Sequence, residues 1–171
     1  MRVVLIKYNA GNIYSVECSL KRTGIEPVVT DDKEIIKSAD KVIFPGVGEA
    51  ASTMRYLKEH RLDELIRDLK QPVLGICIGM QLMCKHSEEG NVDCLGIFDV
   101  PVRKFMSDTP EQKIPHMGWN TISDINEQMF PQCINNQFVY YVHSYYVPVC
   151  KYTAGVTEYI HPVSYTHLTL P

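Results

Sequence analysis

Seven residues, Gly75-Ile76-Cys77-Ile78-Gly79-Met80-Gln81, carry the most specific chemical pattern in the chain. The apolar run Val73–Ile76 leads into Cys77, and helical composition follows it. Gly-x-Cys-x-Gly is the thiol form of a nucleophile elbow, a tight strand-to-helix turn that exposes its central side chain. The flanking glycines fit a turn whose neighbouring backbone leaves no room for a Cβ. A helix beginning after Cys77 is expected to favour the thiolate and lower its pKa, and the Ile78 N–H would face a developing oxyanion. An inert buried cysteine in a Gly-rich turn is the competing reading. Pro45-Gly46-Val47-Gly48, after another apolar run, could turn an N–H of Val47 or Gly48 toward the same oxyanion. Such Gly-rich turns are common, so this loop gains meaning only beside Cys77.

The elements needed to bring these segments together are legible in the first half of the chain. Arg2–Lys7, Glu26–Thr30, Lys41–Pro45 and Val73–Ile76 read as short, almost continuously apolar strands. Between them Ile13, Val16 and Leu20 recur at helical spacing, with Asn12 placed as an N-cap and Gly24 as the stop. Thr30-Asp31-Asp32 can cap a short helix through Ser38, and residues 49–70 are helical in composition. Strand–helix alternation predicts an α/β fold, a doubly wound and mostly parallel sheet. Ligands of such sheets bind beyond the carboxyl ends of the strands, the edge that Cys77 and the Val47-Gly48 loop would share. After residue 91 the texture changes to strands joined by turns (97–105, 114–122, 138–148 and 152–159), predicting an added antiparallel or mixed strand region.

Composition narrows the function classes. The chain has 171 residues with 17 Lys+Arg against 20 Asp+Glu, a net charge of −3 and no basic cluster, which argues against nucleic acid as partner. No apolar stretch approaches the ~18 residues of a membrane span, and Lys7 interrupts any signal-like run, so a cytoplasmic protein is expected. The six cysteines form no Cys-x-x-Cys pair, so neither a zinc site nor a disulfide framework is expected. No metal and no cofactor are implied.

Three further segments make the pattern specific: Asn9-Ala10-Gly11-Asn12, His116-Met117-Gly118-Trp119-Asn120, and Tyr140-Tyr141-Val142-His143-Ser144-Tyr145-Tyr146. In this order, with the elbow and Pro45–Gly48, they resemble the glutaminase subunits of imidazole glycerol phosphate synthases, class I glutamine amidotransferases of histidine biosynthesis. The resemblance runs from Met1 to about Pro162. Sister glutaminases for anthranilate, aminodeoxychorismate and guanylate synthesis usually have Pro-Gly-Pro-Gly at the second glycine loop and lack the His-Met-Gly-Trp-Asn segment. The resemblance implies that Cys77 attacks L-glutamine, with Val47, Gly48 and Ile78 forming the oxyanion hole. It further implies that Gln81, Glu89, His143, Ser144 and Tyr145 hold the substrate, Glu89 facing its ammonium. Asn12, Met117, Trp119, Asn120 and Tyr140 match the face that docks on the cyclase subunit in a heterodimer. A solvated acidic loop at Glu89 and a core role for Trp119 are the plainer alternatives.

A thiol of this class works with a general base oriented by a carboxylate, which in the resembling family is a His-x-Glu pair within Phe-His-Pro-Glu. Neither residue of that pair is found. His60 reads as a solvated helix residue, while His116 and His143 have no acid two positions on. His86-Ser87-Glu88 has the right spacing, but on a continuous helix from Cys77 it would stand roughly 13 Å away. His161-Pro162 is followed by Val163 where the family has Glu, and it comes one strand early. Residues 163–171 match nothing in the family and resemble translated artificial sequence. The expectation is an amidotransferase domain over 1–162 lacking its last strand and helix, followed by a non-native tail. Missing elements would leave a sheet edge and an apolar face open to aggregation. Such a chain would be catalytically silent as written. The competing readings are a non-catalytic docking fragment, or the glutaminase of another class I amidotransferase.

Overall fold

The computed structural model describes residues 1–8, 12–127 and 130–164. Its first half is a parallel sheet of four strands: β1 (Val3–Ile6), β2 (Val28–Thr30), β3 (Lys41–Phe44) and β4 (Val73–Gly75), in the order β2-β1-β3-β4. Alternation along each strand divides the core between two faces. Val4, Ile6, Val42 and Phe44 pack under α2 (Lys33–Lys37), α3 (Ala50–Glu59), α4 (Leu62–Asp68) and α5 (Ile78–Met83). Val3, Leu5 and Ile43 face α1 (Ile13–Arg22) through Ile13, Val16 and Leu20. The chain runs from β1 outward to β2 and then back across to β3, so the sheet is wound on both faces as expected, with its switch point between β1 and β3.

Local physics explains most element ends. Asp32 accepts the N–H groups of Glu34 and Ile35, starting α2, and Glu49 does the same for Ala51 and Ser52 at α3. Gly24, with φ of 80°, follows the C-terminus of α1. Asn12 does stand at the N-cap of α1, but with φ of 71° its side chain makes no capping hydrogen bond, correcting the expected cap. The helical stretch 49–70 is two helices, because Arg61 adopts a left-handed conformation, with φ of 54°.

Beyond α5 lies a second, mixed sheet: β5 (Cys84–Ser87), β6 (Val92–Asp93), β7 (Phe98–Lys104) and β10 (Tyr145–Tyr146), in the order β10-β7-β5-β6. Two hairpins complete the described chain, β8 (His116–Thr121) with β9 (Phe138–His143) and β11 (Val156–Tyr159) with β12 (His161–Ser164). Val163 and Ser164 belong to β12 and are buried; residues 165–171, the rest of the expected tail, lie outside the described residues. No helix among the described residues is long and apolar enough to cross a membrane.

Candidate active site

Strand β4 feeds through Ile76 into Cys77, and α5 begins at the next residue. Cys77 has φ of 56° and ψ of −118°, a backbone conformation that side chains rarely adopt and that the surrounding structure must enforce. The two glycines of the motif let it happen. A Cβ on Gly75 would stand 2.7 Å from the Cα and N of Met80, and one on Gly79 would overlap the Phe44 carbonyl oxygen at the end of β3. The elbow therefore closes only because α5 lies directly on the ends of β3 and β4.

The thiol does not follow the expectation of a lowered pKa. Cys77 retains open surface, yet its apolar surroundings push the thiol up, the Ile78 N–H opposes this, and the charge of Glu89 adds to the rise. A six-residue helix has too few aligned peptide dipoles to outweigh that desolvation. Left to itself, then, the sulfur stays protonated at neutral pH and needs a base to become a nucleophile.

The glycine loop at the end of β3 lies beside the elbow, since Phe44 pairs with Gly75 and the Ile76 N–H donates to the Phe44 carbonyl at 3.0 Å. A residue absent from the sequence reading pins this loop. Tyr8, at the end of β1 and 5% exposed, donates its hydroxyl proton to the Pro45 carbonyl. A Cβ on Gly46 would collide with the Tyr8 hydroxyl and with Ile78. Burial, and secondarily the nearby Cys77, keep the Tyr8 hydroxyl protonated. Val47 is exposed at the loop's tip, and Gly48 has φ of 138°, a conformation suited to glycine. The adjacency of β1 and β3 creates this contact, which no local sequence signal announces.

Cys77 opens onto a cavity of about 230 Å³ whose other walls include Met80, Gln81, Tyr141, His143, Tyr145 and Ser164. That is a volume for a small metabolite rather than a drug-sized ligand. Gln81 is buried and donates from Nε2 to the Tyr145 carbonyl at 3.3 Å. Ser144 instead offers its carbonyl to the Phe105 N–H at 3.0 Å. Glu89 accepts the Ala50 N–H at 2.9 Å, and burial followed by repulsion from Glu49 raises its pKa against that hydrogen bond. The structure thus gathers Cys77, Gln81, His143 and Tyr145 around one cavity, with Glu89 near enough to act on the thiol. A larger groove of about 540 Å³ between α2 and α4, lined by residues such as Lys33, Arg61, Glu64 and Lys70, has no cysteine, serine or threonine in its lining.

Among the described histidines only His143 lines the cavity. His60 stacks on Tyr56 at 3.9 Å between ring centroids. His86 is not on a helix at all: α5 ends at Met83, and His86 sits on β5 with Nδ1 3.0 Å from the Asp93 carboxylate. The helical distance used to set it aside was therefore the wrong ground, because pairing with β6 and β7 overrides the helical continuation. His161 is on β12, 6.1 Å from the Tyr146 ring, while its strand neighbour Ser164 reaches the cavity. His167 lies outside the described residues. His143 lines the cavity, but Nδ1 is bound to the Tyr145 carbonyl and Nε2 to His116, both at 2.9 Å.

His116 is 3% exposed, and burial, with His143 second, pushes its pKa down to about 4. The fold holds this ring neutral, whereas the unfolded chain would protonate it near about 6.5. Its contribution to stability is complete above that pH and is lost as pH falls through about 4. The facing groups, His143, Tyr141 and Tyr159, are retained in a His116→Asn variant. Urea midpoints between pH 7 and 4 should therefore fall more steeply for the unsubstituted protein than for this variant; parallel profiles would contradict the assignment.

The β8–β9 hairpin carries Met117, Trp119, Asn120 and Tyr140, four of the residues expected to dock. Trp119 pairs with Tyr140 across the strands, their rings edge-on at 5.4 Å, and both are exposed together with Met117. Period-2 alternation puts Phe138 and Val142 on the same outer face, two residues the motif reading passed over and strand periodicity could have found. Asn120 is on the inner face, donating to the Glu158 carbonyl at 2.9 Å. Asn12 is exposed, whereas Asn9, Ala10 and Gly11 lie outside the described residues.

An elbow cysteine at the carboxyl edge of a parallel sheet, beside a glycine loop and a small cavity, defines a class, and the chain belongs to it: residues 4–160 match the family glutamine amidotransferase class-I, a family of enzymes. The particular relatives agree with the resemblance read from the motifs. The imidazole glycerol phosphate synthase subunit HisH of Bacteroides thetaiotaomicron is 63% identical over 164 residues, covering 96% of this chain and 84% of the relative. The same subunit of Idiomarina loihiensis is 43% identical over 160 residues, covering 93% and 80%. Two solved structures share the fold. One, described as a glutamine amidotransferase, has a TM-score of 0.66 at 14% identity over 94% of this chain and 87% of its own. A putative GMP synthase subunit from Thermoplasma acidophilum gives 0.65 at 16% identity over 93% and 78%.

Proposed function

We propose that the chain carries the glutaminase chemistry of an imidazole glycerol phosphate synthase. The Cys77 thiolate attacks the carboxamide carbon of L-glutamine, and the tetrahedral oxyanion accepts the Ile78 N–H and an N–H of the Val47-Gly48 loop. Collapse expels the amide nitrogen, protonated to ammonia, and leaves a glutamyl thioester; water then cleaves the thioester to glutamate and regenerates the thiol. Gln81, His143, Ser144 and Tyr145 supply the substrate wall, and Glu89 offers a carboxylate to the substrate ammonium. The strained Cys77 backbone, with the Ile78 N–H on its sulfur and a cavity in front, is the observation that carries this reading.

The exposed face of Met117, Trp119 and Tyr140, with Phe138 and Val142, would dock on the cyclase subunit, which consumes the ammonia in the cytoplasm. The raised thiol pKa calls for an imidazole partner, and among the described residues the one histidine at the cavity, His143, has both ring nitrogens engaged. Ammonia release, measured with the cyclase subunit present, tests both halves of the reading when this chain is compared with one bearing the family's His-x-Glu segment.

A further inference from the structure

The inner side of the β8–β9 hairpin holds a chain of polar side chains with only one consistent direction. The Tyr145 carbonyl can only accept, so His143, bound to it through Nδ1 at 2.9 Å, carries its proton on Nδ1. A neutral ring then has a bare Nε2, which must accept, and its partner at 2.9 Å is Nδ1 of His116. His116 therefore also carries its proton on Nδ1, leaving its own Nε2 bare toward the Asn120 amide nitrogen at 3.4 Å. The orientation of that amide is fixed independently: its nitrogen donates to the Glu158 carbonyl at 2.9 Å, and its oxygen accepts the Thr121 N–H at 2.8 Å.

Packing leaves this arrangement little freedom. The His116 ring is stacked against Tyr159 at 3.8 Å and Tyr141 at 4.7 Å, and Phe105 meets His143 edge-on at 5.2 Å. The far end of the chain is the Tyr145 carbonyl, which also takes the Gln81 amide and stands at the wall of the Cys77 cavity. His116 itself does not line that cavity, so it acts only through its neighbour.

We propose that His116 is a positioning residue for the glutamine pocket: its Nδ1–H fixes the His143 ring, and His143 fixes the Tyr145 carbonyl that with Gln81 forms the wall facing Cys77. This rests on the reading of the cavity as the glutamine site. The role belongs to one nitrogen of one ring, so it separates from mere space-filling. Asparagine at 116 can present an N–H close to the Nδ1 position, whereas leucine fills much of the space and donates nothing.

The experiment treats the full chain, in alkaline buffer where the thiol ionises without a base, with a chloroketone analogue of glutamine, which alkylates Cys77 without requiring turnover, and with iodoacetamide, which reads the thiol alone. His116→Leu is expected to raise the half-saturating chloroketone concentration about tenfold, the size of one lost hydrogen bond. The limiting alkylation rate and the iodoacetamide rate should stay unchanged, and His116→Asn should restore most of the loss. Ring ¹⁵N spectra of the unsubstituted protein should show both histidines protonated on Nδ1 alone. Should the leucine variant fail to fold, His116→Gln takes its place, with its donor nearer the wrong ring position. Equal effects of leucine (or glutamine) and asparagine, no effect of either, or an Nε2–H tautomer at either histidine would overturn the proposal. If the unsubstituted protein shows no saturable labelling, the glutamine pocket is rejected and this proposal with it, while the spectra alone still decide whether the histidine chain exists.

Discussion

Ammonia release from glutamine, measured with the cyclase subunit present, is expected to rise at least about a thousandfold when residues 165–171 are replaced by the C-terminal segment of a relative bearing the His-x-Glu pair, since that is the scale of losing a member of such a triad. The physical reason lies in the thiol. Burial and the Glu89 charge hold Cys77 above its ordinary pKa, against a single opposing N–H from Ile78. Little thiolate exists at neutral pH without an imidazole to take the proton. The gain should vanish in the Cys77→Ser version of the extended chain, because the hydroxyl is far harder to ionise. Robust turnover by the 171-residue chain, abolished by His161→Ala, would show instead that His161 serves as the base. Turnover unchanged by the extension would show that a missing base is not what limits the reaction.

Docking supplies the second large effect. Trp119 is 69% exposed, meets Tyr140 edge-on at 5.4 Å and lies on a hairpin face whose other large side chains are also apolar. Aromatic anchors of this kind dominate interfaces, and truncating one commonly costs at least about 2 kcal/mol, roughly thirtyfold in Kd. Trp119→Ala should therefore weaken binding to the proposed cyclase partner by that factor or more, measured by calorimetry. Its thermal midpoint should stay close to that of the unsubstituted chain, because the ring is not part of the buried core. A Kd within twofold of the unsubstituted value would remove the docking role from this face.

The parallel half of the fold was legible because its signals are local. β1, β3 and β4 read as apolar runs, since a strand covered on both faces needs little else, and Thr30-Asp31-Asp32 announced α2 by type and position. What escaped depends on partners distant in sequence. Cys84–Ser87 (Cys-Lys-His-Ser) has no strand signature of its own and becomes β5 only by pairing with β6 and β7. The break between α3 and α4 rests on the left-handed Arg61, which helical composition conceals. The site divides in the same way. Cys77 and its glycines were visible because an elbow needs those residue types in consecutive positions. Tyr8 was not, because its role comes from β1 lying beside β3. The His116–His143 contact joins two rings directly opposite each other across β8 and β9, and it becomes visible only once that register is known. The thiol pKa was misjudged because the sequence suggests a helix start but not the crowding around the sulfur.

The central claim, that Cys77 is the nucleophile of a glutamine site, is tested most directly by peptide mapping after treatment with the chloroketone analogue of glutamine in alkaline buffer, where the thiol ionises without a base. The exposed Cys133 and half-exposed Cys18 are built-in competitors without an elbow or a cavity. The account predicts a single modification, on Cys77, suppressed by excess L-glutamine and unaffected by excess L-asparagine. Label spread over Cys18, Cys77 and Cys133, or label on Cys77 that glutamine does not suppress, would contradict it.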